Sequence, residues 1–323
     1  MSDQSPLVSV LIPTFDRPGL LQRAVRSALA QTLHDIEVIA VLDGASDDSR
    51  RSLAEIDDPR LRILDLERNQ GAPAARTAGV QAARAEWIAH LDDDDEWFPH
   101  KLELQLRTAS ASAFPWPIVA CRLIARANEG DFVWPRRRPR PNEPLSEYLF
   151  CGSGPTFGEG VLPSSVLFVP RGLCLRVPPR CEVAYHDDID WLIRAGATRG
   201  VGVEMVASDA PLAIWHREGR APPHNRDWHP SLNWIRSHAS RVTPRAYASF
   251  VLRWIGSGCA RKRQWEAFGP LLGEALRRGR PTSLDLAVYF AHWLIPPRLQ
   301  PRLGHWWSGV RRALPGPSGE DEQ

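Results

Sequence analysis

Four short apolar runs, separated by segments of helical spacing, constrain this chain most. Val8–Ile12, Ile36–Leu42, Leu61–Leu66 and Trp87–Leu91 are rich in Val, Ile and Leu, and each has strand length. Apolar character on successive residues suits a parallel strand covered on both faces. Pro13 closes the first run. Between the runs, Leu20, Leu21, Val25, Ala28 and Leu29 recur at helical spacing within Pro18–Gln31. Ser49–Ile56 and the Ala-rich Gly71–Ala85 read as two more helices. Strand alternating with helix predicts an α/β fold built on a doubly wound, mostly parallel sheet with helices on both faces.

In such sheets ligands bind beyond the carboxyl ends of the strands. The fourth run delivers Asp92-Asp93-Asp94-Asp95 to such an end. Four consecutive carboxylates repel one another, and packing them together calls for a cation. Oxygen donors of this kind suit a hard divalent ion, Mg²⁺ or Mn²⁺. The competing reading is a solvated acidic turn. Gly-x-Gly-x-x-Gly does not follow Ile12, and Gly-x-x-x-x-Gly-Lys occurs nowhere. Both a dinucleotide-binding dehydrogenase and a P-loop nucleotidase are therefore disfavoured.

Further along, Phe98–Ala111 reads as a helix, Ile118–Arg126 as a strand, Pro135–Pro144 as an exposed loop and Ser153–Gly160 as a mobile glycine-rich loop. Val166–Val169, Val201–Val206 and Pro211–Trp215 read as strands. Asp187-Asp188-Ile189-Asp190 opens a helix with acids in its first turn. A chain of 323 residues can bury a full core and carry an appendage. The expected division is a catalytic domain over 1–225, a helical C-terminal region over 226–314 and a disordered polar tail over 315–323. The five cysteines form no Cys-x-x-Cys pair, which fits a reducing cytoplasm. The N-terminus lacks the pattern of a signal peptide, and no apolar run has bilayer-spanning length.

Taken together, five segments in order resemble the family 2 glycosyltransferases of GT-A fold. Val8 to Arg17 resembles that family's opening strand and nucleotide loop, and Val38 to Asp47 its base-binding turn. Asn69-Gln70-Gly71 with Ala75-Arg76 resembles a further nucleotide contact. Leu91 to Asp95 resembles the Asp-x-Asp motif, and Asp187 to Trp191 the Glu-Asp-x-Asp segment that carries the base. Asp187 stands where Glu is usual, and Asp93 between the metal-binding acids leaves the ligand register open.

The resemblance implies an inverting enzyme that moves a single sugar from a nucleotide-diphosphate sugar, UDP favoured, to a hydroxyl acceptor in cell-surface glycan or glycolipid synthesis. It implies Asp92 and Asp94 as ligands of Mn²⁺ or Mg²⁺, with His216 as a third, and Asp93 on the ribose or sugar. Asp43 would accept from the nucleobase. Pro13, Thr14, Phe15, Arg17, Asn69 and Arg76 would line the nucleotide-sugar site. Asp188 would be the general base, with Asp187 the alternative. The segment Gln/Arg-x-x-Arg-Trp of processive synthases is missing, which favours single transfer. Two other readings compete: a nucleotidyltransferase making nucleotide sugars, and a catalytically silent module binding a sugar or partner.

Residues 241–312 hold thirteen Lys/Arg against three acids, interleaved with Trp254, Trp265, Trp293, Trp306 and Trp307. Basic residues with tryptophans suit peripheral contact with an anionic membrane on the cytoplasmic face, where a lipid-linked acceptor would lie. Tryptophans packed on the catalytic domain, with merely solvated arginines, are the equal alternative. Nucleic acid has no role beside these motifs.

Overall fold

The computed structural model describes residues 5–44, 46–128, 130–154, 159–183, 186–217 and 227–295. Its strands are β1 (Val8–Thr14), β2 (Ile36–Asp43), β3 (Leu61–Leu66), β4 (Trp87–His90), β5 (Glu96–Trp97), β6 (Trp116–Ala120), β7 (Leu123–Ala127), β8 (Gly130–Trp134), β9 (Phe168–Pro170), β10 (Val201–Met205) and β11 (Ala213–His216). A seven-stranded sheet has the order β10-β6-β9-β4-β1-β2-β3, and a four-stranded sheet the order β5-β11-β7-β8. The large sheet is parallel except at β9, which runs antiparallel to both β4 and β6.

The local reasons follow the sequence. All seven residues of β1 are buried, as expected of a strand covered on both faces. Pro13 does not end it: the strand runs on to Thr14, with Pro13 opposite Val41. Helix α1 (Pro18–Leu29) starts with its proline, where no intrahelical donor is needed, and buries Leu21, Ala24, Val25 and Ala28 along one stripe. Helix α2 (Asp47–Ala54) is capped by Ser46, whose side chain accepts from Ser49 N–H. Helix α3 (Ala72–Ala82) packs on β1 and β2, and α4 (Lys101–Ser110) on β6.

Several expected elements differ. The run Ile118–Arg126 is two strands, because the chain leaves the large sheet after Ala120 and enters the small one at Leu123. Ser164–Val166 is a 3₁₀ turn before β9. The arginine-rich 135–144 segment is tied down: Arg137 pairs with Glu143 at 2.7 Å, and Arg138 Nη1 donates to the Val206 carbonyl at 2.8 Å.

Beyond lie α5 (Leu145–Phe150), α6 (Arg171–Arg176), α7 (Asp187–Gly196), α8 (His229–Ser237), α9 (Pro244–Ser249), α10 (Gly256–Arg261), α11 (Phe268–Arg278) and α12 (Ser283–Leu294). A π-helical turn, Phe250–Ile255, joins α9 to α10. One core spans the sheets and their helices. A second is built from Leu232, Trp234, Tyr247, Phe250, Leu271, Tyr289 and Trp293, and it takes Phe150 from α5 and Ile193 from α7. The C-terminal helices are thus packed directly against the helix that begins with the Asp187–Asp190 segment. No helix among the described residues is long and apolar enough to cross a membrane. The tail from Pro315, Trp306, Trp307 and the arginines from Arg298 onward lie outside the described residues, as does 155–158 of the glycine-rich loop.

Candidate active site

The carboxyl ends of β1, β2 and β4 face one rim of the sheet, and the aspartate run sits there. Its four carboxylates have separate fates. Asp92 accepts from Arg76 Nη2 at 2.8 Å and from Ser164 Oγ at 2.8 Å. Asp93 accepts from Thr14 Oγ1 at 2.7 Å and from Arg17 Nη1 at 3.2 Å. Arg17 Nη1 also reaches Asp94 Oδ2, at 3.3 Å. Asp95 is fully buried and accepts from Ser165 Oγ at 2.5 Å and from the His216 backbone N–H at 3.2 Å. Burial raises the pKa of Asp93 and Asp95, and in both the charge of Asp92 adds to the rise.

On the neighbouring strand, Asp43 accepts from two backbone donors, Gln70 N–H at 2.8 Å and Gly71 N–H at 2.7 Å. Its first duty is therefore to hold the Asn69–Gly71 turn beside β2. Asn69 Oδ1 accepts from the same Gly71 N–H at 3.0 Å. Gly44 has φ +103°, and a Cβ there would lie 3.1 Å from Asn69 N, so only glycine fits this close approach. Phe15 is 55% exposed, with Cε2 3.6 Å from where that Cβ would be. An open aromatic face thus stands over the turn.

Arg76 is the strut of the site. It projects from α3, its side chain is 11% exposed, and it spans two acid segments. Besides Asp92 it binds Asp187 Oδ2 at 2.7 Å and Ser164 Oγ at 3.1 Å. Burial alone would lower its pKa, but the charges of Asp92 and Asp187 raise it. Both terminal nitrogens of the guanidinium are engaged in this bridge, at the place where the sequence expects a contact to base or phosphate. Asp188 lies next to Asp187 and accepts from Ile189 N–H at 2.7 Å. Burial first, then the Asp187 charge, push its pKa up to about 7. Arg76, Ser164, Asp187 and Asp188 line one cavity with His90, whose pKa burial lowers to about 3.

The structure brings together Thr14, Arg17, Arg76, Asp92, Asp93, Asp94 and Asp187, with Asp188 alongside. Pro13 is buried inside β1. His216 Nε2 meets Glu96 Oε1 at 2.8 Å, a carboxylate outside the expected ligand set. Among the described residues, no group of three or more His, Cys, Asp or Glu side chains is arranged to hold a metal. The donor chemistry of Asp92 and Asp94 nevertheless fits Mg²⁺ or Mn²⁺, which take one or two carboxylates and fill the remaining positions with water and substrate phosphates. Sequence reasoning missed Ser164 and Ser165, which tether Asp92 and Asp95, and Arg23, whose Nη2 donates to the Asp94 carbonyl at 2.8 Å. The only local signal for the serines was a pair of hydroxyls after Pro163.

Asp190 serves the fold. It is fully buried and accepts from Arg194 Nε at 2.6 Å and Trp234 Nε1 at 3.2 Å, and it pairs with His238 Nε2 at 3.1 Å. Hydrogen bonds from His238 and Arg194 outweigh burial and hold its pKa down at about 2.

Comparison with known proteins agrees with this geometry. Residues 9–156 match the model of glycosyl transferase family 2. The succinoglycan biosynthesis protein ExoO of Rhizobium meliloti is 39% identical over 110 residues, 34% of this chain and 32% of that protein. A UDP-Glc:alpha-D-GlcNAc-diphosphoundecaprenol beta-1,3-glucosyltransferase, WfgD of Escherichia coli, is 34% identical over 100 residues, 31% of this chain and 40% of that one. The matched stretch therefore spans only about a third of the length of such relatives. Among solved structures, S. aureus TarS 1–349 superposes with a TM-score of 0.57 at 15% identity, covering 92% of each chain. The strand order, the aspartate run at the end of β4 and the match over residues 9–156 together support a family 2 glycosyltransferase, and the fold is GT-A.

Proposed function

We propose that this protein transfers a single sugar, with inversion, from a UDP-sugar to a hydroxyl of a saccharide or lipid-linked acceptor in cell-surface glycan synthesis. The observation that carries the reading is Asp188, a carboxylate whose surroundings bring it to about pKa 7 beside Asp92 and Arg76. A base poised near neutral pH suits removal of a proton from an acceptor hydroxyl. The acceptor oxygen forms its bond to the anomeric carbon as the bond to the diphosphate oxygen breaks. Attack from the face opposite the leaving group inverts that centre. Asp92 and Asp94 would hold Mn²⁺ or Mg²⁺, which supplies positive charge to the leaving diphosphate. Arg17 and Thr14 orient Asp93, and Phe15 offers its ring to the base above the Asp43-fixed turn. UDP is favoured because TarS has been solved with UDP and with UDP-GlcNAc, and because WfgD is named for UDP-Glc.

A panel of nucleotide sugars with Mn²⁺ tests the reading. Release of UDP that depends on an acceptor is expected, and chelator should abolish it. Pyrophosphate chemistry would instead indicate a nucleotidyltransferase, and binding without turnover a silent module. Full activity in chelator would remove the metal from the scheme.

Peripheral membrane contact belongs to the same proposal, on a smaller surface than the composition implied. Trp234 and Trp293 are buried in the second core. Trp265, Phe290 and Leu294 stay exposed near Phe268 and Trp293, with Arg261, Lys262 and Arg263 just before Trp265. Each basic residue near an anionic surface contributes about 1 kcal/mol. The protein is expected to float with anionic vesicles at low salt, and Trp265→Ala with Leu294→Ala to weaken flotation. A parent that stays in the soluble fraction at low salt would make this surface structural.

A further inference from the structure

Helix α7 begins abruptly. Its N-cap residue, His186, has φ +66° and ψ +27°, the left-handed region that residues other than glycine seldom enter. The side chain makes no capping bond to the helix. The His186 carbonyl accepts from Asp190 N–H at 2.6 Å, so the first turn is wound directly on this residue. That turn carries Asp187 and Asp188. A left-handed residue persists only where its surroundings hold it.

Here the hold comes from the C-terminal helices. His186 Nε2 and Ser231 Oγ of α8 share a hydrogen bond of 2.9 Å. The imidazole centroid lies 5.0 Å from the ring of Trp234, 5.5 Å from Phe250 and 6.1 Å from Trp254. It meets the last two edge to face, each at 78°, an arrangement that aromatic pairs favour. Phe250 and Trp254 belong to the π-helical turn and stack on each other at 5.7 Å. Such turns are rare and frequent at functional sites, and this one sets two rings into a single socket. Burial, against the charge of Asp187, lowers the His186 pKa to about 4, so the ring is neutral near pH 7 and packs as an aromatic. On the other side, Arg76 of α3 holds Asp187 at 2.7 Å. The backbone leading into Asp188 is thus fixed twice, by a guanidinium and by an aromatic socket.

We propose that His186 is a positioning residue for the base: seated among Ser231, Trp234, Phe250 and Trp254, it sets the direction in which α7 presents Asp188. The C-terminal helices then take part in the transfer reaction through this one ring. The inference deepens the transferase reading and rests on it. His186 touches no substrate in this scheme, and its effect reaches the acceptor hydroxyl only through the placement of Asp188. Misplacing a reacting group costs rate more than binding.

The test is His186→Gly, which suits the left-handed backbone and removes every socket contact. Two amides report on the turn without any substrate: Ile189 N–H, bonded to Asp188 Oδ1, and Asp190 N–H, bonded to the His186 carbonyl. Their hydrogen exchange is expected to quicken, while kcat per folded molecule falls about tenfold to a hundredfold and KM for the donor stays unchanged. Parental kcat in the folded variant, or unchanged exchange at the two amides, makes His186 a packing residue and overturns the proposal. A loss confined to donor KM assigns it to the nucleotide site and overturns it too. Should the glycine variant not fold, Ser231→Ala decides, since it deletes one hydrogen bond from a half-buried position on α8. Faster exchange at Ile189 and Asp190 with a lower kcat is expected, and parental values of both overturn the proposal. Faster exchange in the variants of a protein whose parent releases no UDP keeps the socket's hold on α7 and loses the transferase reading.

Discussion

Asp188→Asn should lower turnover by roughly 10²- to 10⁴-fold, the range of a lost general base, and leave nucleotide affinity nearly unchanged. Asparagine keeps the shape of the side chain and can still accept from Ile189 N–H, so the start of α7 survives. It also removes a charge that burial and Asp187 already oppose, so folding is not threatened. Phe15, Asp43 and Asn69, the groups around the expected nucleotide site, lie at or beyond the ends of β1 and β2 and before α3, whereas Asp188 sits in the first turn of α7, so affinity has no reason to fall. The parent should show a pH signature as well. A base must be ionised to act, and the Asp188 pKa is raised to about 7. Turnover should therefore climb as pH rises through about 7 and level above it, and that limb should vanish in the variant. An unchanged rate would move the role to Asp187. The geometry argues against that: Asp187 is bound to Arg76 at 2.7 Å, and a carboxylate held by a guanidinium is a weaker base. A fall in nucleotide affinity matching the fall in rate would make Asp188 part of the donor site.

Much of this arrangement could be read from the chain because it is local. Strand β3 was expected at Leu61–Leu66 and lies there. The aspartate run was expected at a strand end, and β4 stops at His90, two residues before it. What escaped depends on partners far away in sequence. Proline reads as a strand terminator because it donates no hydrogen bond, yet β1 carries Pro13 within its register beside β2. The apolar run around Cys121 gives no sign that the chain changes sheets there, and strand direction at β9 is a property of its neighbours. Arg76 is read locally as a helix cation. Its role appears only when Asp187, 111 residues on, folds against it. His216 likewise meets Glu96, 120 residues earlier. The C-terminal tryptophans illustrate the same limit. Composition alone suits a membrane surface and a core equally, and packing sent Trp234 and Trp293 inward while leaving Trp265 outside.

The second large effect should come from Asp190, and it should appear in stability. Asp190→Ala is expected to destabilise the protein by about 3–5 kcal/mol, the range for removing one partner of a buried ion pair. Both side chains of the pair with His238 are 1% exposed, and Arg194 is 10% exposed, so water cannot replace the lost carboxylate. Arg194, His238 and the Trp234 indole would all lose this carboxylate together. The sign with pH is fixed by the depressed pKa. Asp190 falls from 3.8 to about 2, so its contribution is complete above pH 4 and is lost as pH drops toward 2. That shift alone corresponds to about 2 kcal/mol, and the remainder of the loss in the variant is the desolvated partners left unpaired. Denaturant unfolding at neutral pH should show the full difference, and the gap between parent and variant should narrow on acidification below pH 4. Trp234 and His238 belong to α8 while Asp190 belongs to α7, so the first structure to loosen should be the junction between the C-terminal helices and the helix that presents Asp188. Turnover should then fall at denaturant concentrations where the parent is still fully active. A variant within about 0.5 kcal/mol of the parent would mean that the apolar contacts of Phe150, Ile193 and Phe250 hold this junction without the buried charge.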